Sequence, residues 1–164
     1  MTDVTIRELA GADGEWVKRI FVEHWGADFV VVHGAAFRAD NLPGFIAEQD
    51  GERTGLITHH LAEGECEIVS LNSLREGRGT GTALLDAVET AARDAGCTRL
   101  WLVTTNDNLD ALRFYQKRGF VLVAVHPNAV DAARRIKPIP ATGCHGIPIR
   151  DEIELEKSLG EGGD

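Results

Sequence analysis

Cysteine is scarce in this chain. There are three, Cys66, Cys97 and Cys144, an odd and widely spaced set without a Cys-x-x-Cys pair, which excludes a disulfide framework. Cys144 and His145 are adjacent, which is poor ligand spacing, and no other pair has a standard one, so no metal site is expected. Long apolar runs are also missing. No stretch approaches the roughly 18 uninterrupted apolar residues of a membrane span. Met1 to Thr5 carries neither the basic region nor the apolar core of a secretory leader. These absences point to a cytoplasmic protein.

Positive charge is in short supply too. Seventeen Lys and Arg face 26 Asp and Glu, for a formal charge of −9. Such a chain repels phosphate backbones and anionic lipid over long range, which argues against nucleic acid or membrane as partners. A local basic patch for a small anion stays compatible with it. The 18 glycines show no three-residue period, which excludes collagen.

What is present suits one globular domain. At 164 residues folding hides roughly 70% of the unfolded surface, and 43% hydrophobic with 26% charged residues excludes intrinsic disorder. The expected domain is 1–159, with 160–164 a frayed tail that has nothing to bury.

Apolar and polar residues alternate over 4–9, a strand pattern. Asp13 then stands as the N-cap of a helix carrying Trp16, Val17, Ile20, Phe21 and Trp25. Segment 29–32 fits a strand or a loop packed on the core. Segments 43–48, 54–60 and 65–71 read as successive strands, with hairpin turns at Asp50-Gly51 and Glu63-Gly64. A helix over 82–95 has Leu84, Ala87, Val88, Ala91 and Ala95 as its buried stripe and Gly96 as its stop. Segment 100–103 is nearly all apolar, as in a strand covered on both faces. Asn108 caps a helix that Gly119 ends, and 120–125 is a strand. A short helix with Val130, Ala133 and Ile136 follows, then a Pro- and Gly-rich loop, then a last strand with Ile153 and Leu155 facing inward. This order predicts an α/β fold with a mixed sheet of about seven strands and helices on both faces.

The chemistry-bearing feature is the junction of strand, glycine loop and helix at Gly77-Arg78-Gly79-Thr80-Gly81. Alternating glycines let backbone N–H groups approach a phosphate closely, and the helix start adds donors and a positive dipole end. The P-loop pattern fails, because Thr82-Ala83 follows Gly81. The dinucleotide fingerprint fails as well, because Leu84 stands where its third glycine belongs.

Gly77-Arg78-Gly79-Thr80-Gly81-Thr82-Ala83-Leu84-Leu85 resembles the acetyl-CoA motif of the GNAT N-acetyltransferase superfamily, Gln/Arg-x-x-Gly-x-Gly/Ala. The run from Asn108 through Ala111 and Tyr115 to Gly119-Phe120 resembles the next block of that family. The resemblance covers 43–126. One position departs from it: the register set by Gly79 and Gly81 puts Glu76 where the family has Gln or Arg, with Arg75 and Arg78 alongside.

The resemblance implies a GNAT-like fold and an N-acetyltransferase with acetyl-CoA as co-substrate. The strand over 66–71 would splay from that over 100–104, and the pantetheine arm would pair with backbone near Val69 to Leu71. The Leu71 N–H would polarise the thioester carbonyl. Gly77, Arg78, Gly79, Thr80, Gly81 and Thr82 would hold the pyrophosphate. Asn108 and Ala111 would lie along the pantetheine, and Tyr115 would protonate the leaving thiolate. Arg113, Lys117 and Arg118 form a basic group that could meet the 3′-phosphate.

The general base stays open between Glu65 and Glu67, which share a face at period 2, with His59 or His60 on the neighbouring strand. No activated Ser or Cys is apparent, so transfer would be direct, in a ternary complex. The acceptor is a small-molecule or peptide amine, selected by 13–41 and by the loop over 127–150, which would form a lid. A second copy of the chain is a candidate partner. Two rival readings remain: a non-catalytic acyl-CoA-binding regulator with the same fold, and a nucleotide-phosphate-binding module.

Overall fold

In a computed structural model, residues 4–75 and 79–160 are described. In chain order the elements are β1 (Thr5–Glu8), α1 (Gly14–Trp25), β2 (Phe29–Val32), β3 (Ala35–Arg38), β4 (Gly44–Gln49), β5 (Glu52–Ala62), β6 (Glu65–Ser73), α2 (Thr80–Asp94), β7 (Arg99–Thr105), α3 (Leu109–Lys117), β8 (Val121–His126), α4 (Val130–Arg134) and β9 (Glu152–Ser158). A seven-stranded sheet runs in the order β1-β4-β5-β6-β7-β9-β8, and β2 and β3 form a separate pair. The seven strands are those the sequence predicts. The chain divides into two compact units: residues 1–30, 37–100 and 159–164, and residues 31–36 with 101–158.

The first unit is built on the β4–β5 hairpin. Asp50 (φ 56°) and Gly51 (φ 79°) make its turn, and Glu63 (φ 54°) with Gly64 (φ 77°) makes the next, both in the left-handed pair of conformations that suits right-twisted strands. Ile46 lies opposite Leu56, and the next pair along is Ala47 with Gly55. Successive residues face opposite sides, so the two pairs sort the helices. Ile46 and Leu56 pack with Val17, Ile20 and Phe21 of α1. On the other face Gly55 meets α2, where an added Cβ would lie 2.7 Å from Thr80 Cγ2 and 2.9 Å from Leu84 Cδ1. Helices on both faces of the sheet follow. Each Leu or Ile so buried contributes about 1.5–3 kcal/mol.

Three local expectations are corrected. Asp13 precedes α1, but its side chain makes no cap hydrogen bond. The carboxylate is taken instead by Arg7 at 2.8 Å and Arg53 at 3.2 Å, because two guanidinium groups outbid a backbone N–H. The buried stripe of α2 is Leu84, Leu85, Val88 and Ala92. Ala95 is exposed and Ala87 and Ala91 are half-buried. The strand β7 is fully buried only at Leu100 and Leu102, so one of its faces is half-open.

In the second unit β8 pairs with β9 antiparallel, with Leu122 opposite Leu155 and Ala124 opposite Glu154. Val123 is therefore an extra residue, a β-bulge on the edge strand. Ile153 and Leu155 face inward as their alternation predicts. Val130 and Ala133 anchor the short α4, whereas Ile136 is exposed.

Candidate active site

In the first unit β5 and β6 change register in mid-strand. Thr58 pairs with Ser70 and His59 with Ile68, which leaves Val69 opposite no residue. A bulge residue of this kind is left out of the ladder and bends its strand. Val69, one of the residues expected along the pantetheine, thus stands at a break in the pairing, and Leu71 lies two residues beyond it, opposite Ile57. Alternation gives no sign of the bulge.

Glu67 lies opposite His60 and Glu65 opposite Ala62, so both candidate bases share a face with His60, as their spacing predicts. Their settings differ. Glu65 is held by Arg99 at 3.2 Å, whereas Glu67 is buried. His59 takes the other face, where it stacks on Phe45 with centroids 6.1 Å apart. Burial, with His60 adjacent, pushes its pKa down, and its Nδ1 has no hydrogen-bond partner. His59 is thus a neutral core histidine.

The helix α2 opens at Thr80, two residues earlier than expected, after Gly79 in the left-handed conformation at φ 72°. Only glycine adopts that conformation freely. Among the described residues, a Cβ built on Gly79 would meet no heavy atom within 4 Å, so none of them crowds its Cα. Among the described residues the buried Thr80 hydroxyl has no hydrogen-bond partner, and the first turn of a helix leaves N–H groups without intrahelical acceptors. Room, an unpaired hydroxyl and a helix start together fit an anionic group such as a CoA pyrophosphate. Glu76, Gly77 and Arg78 lie outside the described residues. Arg75 is turned toward Glu52, at 2.6 Å.

In the second unit Asn108 stands at the head of α3. Its Oδ1 accepts the Ala111 N–H at 3.2 Å and its Nδ2 donates to Thr104 Oγ1 at 3.1 Å. Tyr115 is buried, edge-on to Phe114 and Phe120 with centroids 5.1 and 5.2 Å away. Burial pushes its phenol pKa well above the usual tyrosine range, which keeps the hydroxyl protonated at any physiological pH. Arg118 lies over the Phe114 ring at 3.8 Å, and Arg113 is within 3.9 Å of Asp110.

The loop before β9 is tied down rather than loose. Asn106 donates to the Pro148 carbonyl and accepts from the N–H groups of Arg150 and Asp151. Arg134 donates to the carbonyls of Ile139, Pro140 and Ile149. Asp107, buried, accepts from Thr105 Oγ1 and from the Cys144 N–H. A Cβ on Gly143 would collide with that carboxylate. The Asn106-Asp107 pair was not singled out in the sequence, although a polar run between a strand and a helix was its visible signal.

All three thiols are held protonated. Burial pushes Cys66 up to about 12, and raises Cys97 and Cys144, the latter with help from Asp107. Among the described residues no three His, Cys, Asp or Glu side chains are grouped to hold a metal ion, and no helix is long and apolar enough to cross a membrane.

Comparison with known proteins fits this geometry. The sequence model of the acetyltransferase (GNAT) family matches residues 14–120, a span that contains the glycine loop and the Asn108 block. The uncharacterized protein YdhI of Bacillus subtilis (strain 168) is 50% identical over 141 residues, which are 85% of this chain and 88% of that one. Among solved structures, a GNAT family acetyltransferase from Elizabethkingia anophelis with acetyl-CoA bound superimposes with a TM-score of 0.70 at 18% identity, over 96% of this chain and 99% of that one. The IAA acetyltransferase from Bacillus cereus does so with a TM-score of 0.70 at 19% identity, over 96% and 100%.

Proposed function

The chain belongs to the acetyltransferase (GNAT) family, and from that membership we propose that it transfers an acetyl group from acetyl-CoA to a primary amine by direct attack. Acetyl-CoA supplies the acetyl group as a thioester. The residues at 77–82 hold its pyrophosphate through backbone N–H groups, with the unpaired Thr80 hydroxyl beside them. Backbone at Val69 and Leu71 pairs with the pantetheine arm, and the Leu71 N–H stabilises the developing oxyanion. Asn108 and Ala111 border that arm.

Glu67 is the preferred base, because it is buried two residues from the bulge at Val69, whereas Glu65 is half-exposed at the end of the strand. Glu67 takes the proton that the acceptor ammonium must lose. The amine nitrogen then bonds to the carbonyl carbon, the carbon–sulfur bond breaks, Tyr115 delivers a proton to the departing sulfur, and the second proton lost from the nitrogen restores the phenol. The raised thiol pKa values support direct attack over an acyl-cysteine route, since only the thiolate is a good nucleophile.

The observation that carries the proposal is the family match over 14–120, which spans both motif blocks. The test is a thiol-release screen of amines, amino acids, aminoglycosides and peptides with acetyl-CoA fixed. Acceptor-dependent CoA release is expected. CoA binding without release for any amine would leave the chain a non-catalytic acyl-CoA-binding protein.

A further inference from the structure

Beside its buried stripe, α2 carries a flank of small residues. Ala87 and Ala91, one turn apart, are half-buried rather than core. Facing them, Ile6 and Glu8 of β1 pair with Ala47 and Phe45 of β4, on the sheet face that Gly55 presents to α2. Alanine side chains are too short to close the space to β1. The result is an open cleft of about 410 Å³, bounded by Ile6, Glu8 and Phe45 on the sheet and by Ala87, Ala91 and Asp94 on the helix. Small-molecule sites are usually clefts of roughly 300–1,000 Å³.

The unengaged charge at this cleft is negative. Arg7 donates to the Glu8 backbone carbonyl and not to its carboxylate. Among the described residues neither the Glu8 nor the Asp94 carboxylate is held by a cation. Arg7, the one cation among the lining residues, is taken by Asp13 at 2.8 Å and Glu48 at 3.0 Å. Arg93, beside Asp94, is taken by Glu89 and the Leu159 carbonyl. Asp94 also ends α2, at the negative end of the helix dipole. Glu8 stands directly opposite Phe45 in the ladder, near enough for both side chains to meet one ligand. The Phe45 ring is fixed by stacking on His59, with planes at 19°, and the neutral His59 does not repel a cation there. An aromatic ring beside free carboxylates attracts an organic cation.

We infer that this cleft is a second binding site, for a hydrophobic organic ammonium ion. Glu8 and Asp94 hold its charge, the Phe45 ring borders it, and Ile6, Ala87 and Ala91 take its hydrocarbon body. The site is separate from that of acetyl transfer. In the sheet β1 lies three strands from β6, about 14 Å. Glu67 and Val69 face the opposite side, with α1. The net charge of −9 draws cations toward the protein from a distance.

The probe is benzyltrimethylammonium, whose nitrogen carries no proton and cannot be acetylated, with benzyl alcohol as the neutral control. Each is titrated into the full chain and followed by amide NMR. Shifts should cluster at Ile6, Glu8, Phe45, Ala91 and Asp94, and the cation should bind at least about fivefold more tightly than the alcohol. Glu8→Gln and Asp94→Asn should each weaken the cation about threefold, and together about tenfold. Both change exposed side chains, and the remaining amide signals show that each variant is folded. Ala91→Leu should fill the cleft and remove binding of both probes. Shifts that cluster elsewhere, no saturable shift with the cation, equal affinity for the two probes, or a preference that survives the double carboxylate variant overturns the site. Acetyl transfer is read by CoA release and this site by the titration, so either reading can fail alone.

Discussion

Asn108 closes the first turn of α3 onto Ala111: its Oδ1 accepts the Ala111 N–H at 3.2 Å while its Nδ2 donates to Thr104 Oγ1 at 3.1 Å. The side chain therefore has a structural duty whatever it does for the cofactor, and the two are separable. Asn108→Ala should cost about 1 kcal/mol of stability through the lost cap. Asn108→Asp keeps the acceptor and removes the donor, so its stability should stay within about 0.5 kcal/mol of the parent. If the amide N–H also reaches the pantetheine arm, Asn108→Asp should weaken CoA binding several-fold. Denaturant melts beside CoA titrations check both.

Gly79→Val tests the cradle. The left-handed φ of 72° disfavours a β-branched residue, which should cost roughly 1–2 kcal/mol. The larger effect should be on the ligand, since the new side chain fills the space over the loop. Acetyl-CoA at 100 times its dissociation constant should stabilise the parent by about 2.7 kcal/mol, a shift of several degrees in Tm. The variant should lose that shift. NAD and ATP should give much less with the parent.

Tyr115→Phe separates chemistry from packing. The ring stays between Phe114 and Phe120, and only the hydroxyl goes. As the general acid, Tyr115 should carry roughly 10²–10⁴ in turnover, with CoA affinity little changed because its contribution is made in the transition state. Turnover within about threefold of the parent would remove it from the mechanism. Its raised pKa also predicts no loss of rate from phenol ionisation on the alkaline side up to pH 10.

Acid stability should report on Asp13. The Arg7 guanidinium, then the Ala10 N–H and Arg53, hold its carboxyl well below the usual range. A folded pKa below the unfolded one gives stability that is present at neutral pH and is lost as pH falls below about 4. Asp13→Asn should cost about 3 kcal/mol at pH 7, because it removes the buried carboxylate that Arg7 and Arg53 share and leaves Arg7 with Glu48 alone. The gap between parent and variant should hold from pH 6 to about pH 4 and narrow steadily below that, followed by Tm. A constant gap would mean that the charge is not the source of the effect.

The parts of the fold that were legible share a physical cause. The seven sheet strands are runs of apolar and alternating residues, and the turns at Asp50-Gly51 and Glu63-Gly64 carry a glycine at a left-handed position, so local sequence reports them. What escaped depends on distant partners. Ala35–Arg38 has no strong β pattern and is a strand only because β2 lies beside it. Asp13 resembles a helix cap until Arg53, 40 residues on, is brought to it. The bulge at Val69 is a mismatch between two strands and belongs to neither sequence alone. Glu65 and Glu67 look equivalent until the fold buries Glu67 and leaves Glu65 half-exposed beside Arg99.

The extra residue in β8 bears on how the protein behaves when crowded. That strand ends the sheet, and Val121, Leu122, Val123 and Val125 are each 44–57% exposed. It holds neither proline nor a charged side chain before His126, the usual guards of a sheet margin. An unbroken ladder of this composition would template a second strand, and then a third, toward fibres. At Val123 the backbone kinks and twists away, so an incoming strand finds at most two or three residues in register on either side. With like-charged molecules repelling one another at neutral pH, that irregularity keeps a greasy margin from propagating.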